Sequence, residues 1–461
     1  MVFSSLPFLF FYLPVAVAVY LLSPLKLRNL CLLVVSLFFY GWGEPVYISI
    51  MVLSIAVDYT HGLLVERWRD NDRRARMAVA SSVLCNLAIL VFFKYWDFIA
   101  VNVNALTGFS VPVLGLPLPI GVSFYTFQTM SYTIDVYRRD APVQRSVTAF
   151  GAYVTLFPQL IAGPIVRYRT VADQLVSREE NLEKFTSGIR RFTVGMAKKV
   201  LLANAIGQLW DVSLASRELT MAGAWLGLLA YAFQIYFDFS GYSDMAIGLG
   251  RMFGFEFLEN FNYPYISRSV VEFWRRWHIS LTTWFREYVY FPLGGNRVSR
   301  GKWVRNILIV WLLTGIWHGA GWNFLLWGLY YAVWMLAERL FLGKRLEKLP
   351  AVLRHVYAMA VVLVGWALFA VEDPGRLGGY FRALFGGSGL LSAVDGYRLR
   401  SYLPMLVILA LGATPLAQTL WDRLGDRIQS RLAPVLVLAA LVLCTASLVD
   451  ASYNPFLYFR F

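Results

Sequence analysis

Apolar stretches long enough to cross a bilayer recur from one end of this 461-residue chain to the other, separated by short polar breaks. A helix needs about 20 such residues to span the hydrocarbon core. Inside lipid every backbone N–H and C=O must be satisfied within the segment, so helices are what such stretches can form. They fall at residues 6–23, 46–65, 78–98, 120–136, 150–166, 222–249, 304–317, 324–341, 356–371, 402–421 and 432–449. A shorter one at 30–40 reads as a tilted span or part of a bent one. The expectation is an all-α, polytopic integral membrane protein of about eleven transmembrane helices. With 58% hydrophobic and 15% charged residues, the chain has too few polar groups to cover a soluble globule of this size.

A net charge of +14 raises the question of a nucleic-acid partner. The basic residues, however, cluster between the apolar stretches, as the positive-inside rule expects. Clusters at 26–28, 67–76, 138–145, 339–354 and 423–431 then mark the cytoplasmic side, and no nucleic acid is expected. No charge precedes the first stretch, whereas Lys26 and Arg28 follow it, so the N-terminus is expected outside and uncleaved. The tail after Val449 is expected outside as well. Cys31, Cys85 and Cys444 lie far apart in apolar segments, where a thiol behaves as a small hydrophobe. The four histidines include no i, i+4 pair, so neither a disulfide framework nor a metal site is expected.

No low-complexity linker, soluble domain or internal repeat is visible. The chain reads as one membrane domain over 1–461, with N-terminal wall helices in 1–110, a polar core in 111–345 as the candidate seat of any chemistry, and C-terminal wall helices in 346–461. Many secondary transporters are built from duplicated halves, so the lack of repeats weighs against that class. Between residues 118 and 338, Gly, Pro, Asn, Asp, Ser, Arg and His appear among clustered aromatics. Such residues are tolerated at membrane depth only where protein groups or a water-filled cavity satisfy them, so this region should enclose a cavity. The Gly-rich segment 372–400 is expected as an outer loop.

Three runs could carry chemistry. His318 stands in Thr314-Gly315-Ile316-Trp317-His318-Gly319-Ala320-Gly321-Trp322-Asn323, with glycines on both sides that allow close approach. On a soluble helix a lone histidine is usually a satisfied core residue, but an ionisable group within a membrane commonly marks a functional path, and that reading takes more weight. Desolvation among Trp311, Trp317 and Trp322 favours the neutral imidazole, which suits a general base. His278 lies in Glu272-Phe273-Trp274-Arg275-Arg276-Trp277-His278-Ile279-Ser280-Leu281. At helical spacing Trp274, His278, Leu281, Phe285 and Tyr288 share one face, the pattern of an interfacial or re-entrant amphipathic helix. Packing at a headgroup boundary and a catalytic role are both open for this histidine. The third run is Asp238-Phe239-Ser240-Gly241-Tyr242-Ser243-Asp244; its carboxylates need partners, arginines or hydroxyls, and a buried network shaping the cavity is favoured over acid–base work. Arg297, Arg300, Lys302 and Arg305 could receive phosphates of a cytosolic cofactor, or simply obey the charge rule. His61 and His355 read as ordinary boundary residues.

Several of these runs resemble the membrane-bound O-acyltransferase family, and within it the bacterial branch that serves alginate O-acetylation. The matching stretches are Leu118-Pro119-Ile120-Gly121-Val122-Ser123-Phe124-Tyr125, Phe157-Pro158-Gln159-Leu160-Ile161-Ala162-Gly163-Pro164, and the Asp238 run continued to Gly248. They go on with Asn260-Phe261-Asn262-Tyr263-Pro264-Tyr265, the Phe273 to Leu281 run, Gly294-Gly295-Asn296-Arg297, Trp317-His318-Gly319-Ala320 and the tail 453–461. One departure is that Tyr330 and Tyr331 stand where branch members often carry another histidine.

The resemblance implies helices around a central tunnel, a catalytic role for His318, and His278 as the second active-site histidine. Trp317, Asn323, Asp238, Ser240, Tyr242, Asp244, Trp274 and Trp277 are expected around the substrate path, and Arg297 and Arg305 near the donor's phosphates. It further implies a bacterial inner-membrane acetyltransferase with no permanently bound cofactor. Acetyl-CoA would be the cytosolic donor, with periplasmic acetyl-transfer proteins and an exported polysaccharide as partners. Transfer of another group to peptidoglycan, cellulose or teichoic acid, and a transporter with a histidine proton relay, are the alternatives.

Overall fold

The computed structural model describes residues 1–161, 163–216, 219–450 and 457. Among them every regular element is helical and no strand forms. Among the described residues six helices are long and apolar enough to cross a membrane: Leu25–Gly43, Ile48–Arg67, Asp72–Thr107, Trp322–Leu346, Ala351–Ala370 and Asp426–Asp450. The pair Ala393–Gly412 and Leu416–Asp422, bent by 61°, adds a seventh if it makes one crossing.

The other expected stretches differ for physical reasons. The stretch 6–23 lies on the shorter apolar run Phe8–Leu22. Stretches 120–136, 222–249 and 304–317 fall on Val122–Arg138, Met221–Met252 and Arg300–His318. These three helices bury polar residues such as Gln128, Asp135, Gln234, Asp238, Asn306 and His318, so they are shaped for protein neighbours more than for lipid.

The stretch 150–166 is not a span. Helix Val147–Thr155 ends at Leu156, a short helical turn occupies Phe157–Leu160, and residues 163–167 are not helical. Pro158 and Pro164 lack the N–H groups that a continuous helix would need. Side chains close the gap: the Tyr153 hydroxyl donates to the Val166 carbonyl at 2.9 Å, and Gln159 Nε2 donates to the Tyr153 carbonyl at 2.6 Å. The segment 372–400 is likewise more than a loop, since it holds helix Pro374–Leu384 and the start of Ala393–Gly412. Ala162 and the tail motif, apart from Leu457, lie outside the described residues.

The chain divides into two compact units, Met1–Thr193 with Tyr242–Leu258, and Val194–Gly241 with Glu259–Phe461. In the first, a buried polar network ties three helices together. Asp58 accepts from Ser82 Oγ at 2.5 Å and from Asn86 Nδ2 at 2.8 Å, Thr129 donates to Asn86 Oδ1 at 3.1 Å, and Ser82 meets Thr133 at 3.0 Å. Lipid supplies no hydrophobic drive between helices, so such bonds and close packing hold them in register. Close packing appears where a Cβ on Gly248 would stand 2.6 Å from the Gly188 carbonyl oxygen.

The second unit holds both candidate histidines. Here helices Arg300–His318 and Trp322–Ala337 form an antiparallel hairpin. A Cβ on Gly315 would strike the Phe324 carbonyl and one on Gly328 the Trp311 carbonyl, so only glycine lets these backbones meet.

Candidate functional site

His318 is the last residue of its helix, and the chain leaves through Gly319 in extended conformation before the next helix starts at Trp322. The hairpin fixes what surrounds the imidazole, which is 4% exposed. Its ring centroid lies 4.9 Å from Trp317, 4.9 Å from Trp327 and 5.2 Å from Phe369. Asn323 Nδ2 donates to the Phe369 carbonyl at 3.3 Å and ties the hairpin to helix Ala351–Ala370. Tyr330 and Tyr331 serve the same purpose, their hydroxyls donating to the carbonyls of Val361 and Val362 at 2.8 and 3.4 Å.

The structure corrects the continuous amphipathic helix expected around His278. Helix Val270–Arg276 stops at Trp277, His278 takes a left-handed conformation with φ 43°, and a second short helix, Ile279–Phe285, follows. Asn260 explains the break. Its backbone carbonyl accepts the Ile279 N–H at 2.9 Å, and its side-chain Oδ1 accepts the Ser280 N–H at 3.1 Å and the Ser280 hydroxyl at 2.8 Å. These bonds compensate a conformation that a non-glycine residue adopts only when its surroundings enforce it. The preceding helix is anchored at its other end by Glu338, whose two carboxylate oxygens accept the N–H groups of Val270 and Val271 at 2.6 and 2.9 Å.

The same Asn260 oxygen lies 3.2 Å from His278 Nδ1. A backbone N–H already donates to that atom, which fixes it as the carbonyl end of the amide. His278 Nδ1 must therefore carry the proton, leaving Nε2 with the lone pair. His278 sits in a turn between helices too short to cross a bilayer, and burial pushes its pKa down to about 3. It is thus a neutral imidazole with Nε2 as an acceptor.

The two histidines share a wall. The Trp317 ring is 5.9 Å from His278 and 4.9 Å from His318, and Phe239 closes on His278 at 4.7 Å. Trp274 joins Trp311, Trp327 and Tyr331 at 4.9, 5.5 and 4.8 Å. Trp277 packs instead on Phe273, Phe261 and Trp366.

The remaining candidates are placed differently. Asp238 is buried with Lys199, 2.7 Å away, and accepts the Leu457 N–H at 3.0 Å, so its counter-charge is a lysine where an arginine or hydroxyl was expected. Ser240 is buried nearby on the same helix. Tyr242 and Asp244 belong to the other unit. There Tyr242 stacks on Phe3 at 4.6 Å, and Asp244 pairs with Arg191, whose Nε donates at 2.7 Å. Arg297 and Arg305 are exposed. Arg305 donates to Asn306 Oδ1 at 3.0 Å, and Asn306 in turn holds the Leu293 and Gly295 carbonyls.

Two cavities of about 620 and 520 Å3 occur in the second unit, and neither is bordered by His278 or His318. Sequence reading gave Asn260 only a place in a matching stretch and assigned no role to Glu338 or Phe369. Their partners lie 18 to 68 positions away along the chain, so no local spacing reveals them.

A helical membrane protein with two sheltered imidazoles in an aromatic shell is the class these features define. Residues 138–363 match the model of the membrane-bound O-acyltransferase family. The chain is 40% identical to the probable alginate O-acetylase AlgI of Azotobacter vinelandii and 39% identical to that of Pseudomonas putida, in each case over 100% of both chains. It is 32% identical to the peptidoglycan O-acetyltransferase of Helicobacter pylori, over 81% of this chain and 77% of that one. The chain belongs to the membrane-bound O-acyltransferase family. It is a multi-pass membrane O-acyltransferase.

Proposed function

We propose that this enzyme takes acetyl groups from cytosolic acetyl-CoA and passes them across the inner membrane for O-acetylation of an exported polysaccharide of the alginate type. Full-length similarity to probable alginate O-acetylases supports the substrate class. The observation that carries the site is the pair of buried imidazoles, His278 and His318, both packed on one indole, Trp317.

In this reading His318 takes the proton of an acceptor hydroxyl as its oxygen attacks the thioester carbonyl. The tetrahedral intermediate collapses with loss of the CoA thiolate, and the proton held by His318 passes to that sulfur. His278 Nε2, an acceptor, orients the acceptor substrate through a neighbouring hydroxyl, leaving the attacking O–H to His318. The indoles of Trp274, Trp277 and Trp317 keep the centre apolar, which strengthens each polar contact within it. Asp238 with Lys199, together with Ser240, supports the helix that brings Phe239 against His278. Tyr242 and Asp244 act as structural groups, and Arg297 and Arg305 are available to the donor's phosphates. Periplasmic acetyl-transfer proteins complete the delivery.

Polymer acetyl content in cells carrying His318→Ala at normal protein level tests the assignment. Loss of a general base lowers the rate about 10²- to 10⁴-fold; unchanged acetylation rejects it. Similarity to the peptidoglycan O-acetyltransferase supports a second reading, acetylation of peptidoglycan. Mass analysis of both polymers in the same cells separates the two.

A further inference from the structure

The larger cavity of the second unit, about 620 Å3, is lined on several sides by arginine. Arg268 comes from the turn before helix Val270–Arg276, Arg276 from that helix, Arg339 from the end of span Trp322–Leu346, and Arg354 from the first turn of span Ala351–Ala370. The carboxylates in its wall are largely engaged. Glu272 accepts Arg276 Nε at 3.0 Å and the Arg268 N–H at 2.9 Å, and Glu338 is held by the backbone N–H groups of Val270 and Val271. That leaves Arg268, Arg339 and Arg354, three guanidiniums, against one carboxylate, Glu347.

Among the described residues none of these three side chains makes a hydrogen bond or an ion pair, and Arg354 Nε is buried without an acceptor. A buried guanidinium nitrogen without a partner is rare in native structures and points to an absent acceptor. Arginine cannot shed its proton to escape this, and its planar fork matches phosphate oxygens. The cavity also lies where one span ends and the next begins, at the depth of headgroups and nucleotides rather than acyl chains.

We infer that this cavity is a phosphate-ester site, with Arg268, Arg339 and Arg354 as its cationic ligands and Ser269 as an additional donor. It is a different place from the exposed Arg297 and Arg305. Anionic phospholipid headgroups and the phosphates of acyl-CoA both carry the required chemistry, and the second source rests on the donor proposed above.

The purified full-length protein is tested with two probes: phosphatidylglycerol retained through delipidation, read by native mass spectrometry, and CoA bound in detergent, read by equilibrium dialysis. Arg339→Gln and Arg354→Gln are compared with Arg427→Gln, a control on helix Asp426–Asp450. Each cavity substitution is expected to weaken one probe roughly tenfold, with a steep salt dependence, while the control changes neither. Loss of phosphatidylglycerol identifies a lipid site and loss of CoA a donor site, and either supports the inference. Retention of both probes by Arg339→Gln and Arg354→Gln, at wild-type melting temperature, overturns it. If a glutamine variant unfolds, Arg354→Lys takes its place, since it keeps the charge and loses the fork. His318→Ala goes through the same assays and is expected to bind both probes normally, so failure of the catalytic assignment and failure of this site are read separately.

Discussion

Replacing Asn260 by Asp tests whether the amide fixes the protonation of His278. In the native protein Nδ1–H faces a neutral oxygen at 3.2 Å, and burial holds the imidazole pKa down to about 3. An unfolded histidine titrates near 6.5. The unfolded chain therefore takes up this proton as pH falls below about 6.5 while the folded protein does not, and the contribution to stability declines from there toward pH 3, by about 2 kcal/mol at pH 5. A carboxylate in place of the amide oxygen puts a negative charge against Nδ1–H and raises the pKa by about 1 to 3 units, to roughly 4 to 6. The acid limb of acetyl transfer then moves upward into the measurable range. With a pKa near 6, about nine-tenths of His278 is imidazolium at pH 5, and the rate falls about tenfold relative to pH 7.5 while the native profile has no such limb. Asn260→Ala, which removes the acceptor and adds no charge, lowers the rate without shifting the profile. The assay is thiol release from the proposed donor, acetyl-CoA, in reconstituted membranes between pH 4 and 8. An Asn260→Asp profile that superimposes on the native one would refute the tautomer argument.

Lys199→Ala leaves Asp238 buried without its counter-charge and is expected to destabilise the protein by about 3 to 5 kcal/mol, read as a lowered melting temperature in detergent. Lys199→Met with Asp238→Asn, which removes both charges, should recover most of that loss. Glu338→Ala frees the N–H groups of Val270 and Val271 and should cost about 1.5 to 3 kcal/mol, and Glu338→Gln less because one acceptor remains; thermal unfolding ranks the two. Gly315→Leu drives the hairpin apart at the Phe324 carbonyl, for about 1 to 3 kcal/mol, and should lower acetyl transfer more than protein level because His318 lies one turn away.

Legibility followed distance along the chain. The long apolar runs were read directly, because spanning length and backbone satisfaction are local requirements. The run around His318 was equally legible, since its glycines, tryptophans and histidine adjoin in sequence. The helix proposed through His278 failed for the opposite reason. Trp274 to Tyr288 has helical spacing, but Asn260, 18 residues before His278, captures Ser280 and the ring and turns the chain at that point. The stretch 150–166 failed because prolines within an apolar run stop a helix even when the run is long enough to span.

By itself the sequence determined an all-helical membrane protein of the O-acyltransferase family and singled out its two central histidines. Solvent preference and short motifs are written in neighbouring residues, which is why they could be read. Only the tertiary structure decided that both imidazoles pack on one indole, that Lys199 answers Asp238, that Glu338 anchors the His278 helix, and which nitrogen of His278 holds the proton. Each of these depends on groups remote in the chain whose meeting is settled by packing, and a buried polar group takes the partner that packing delivers.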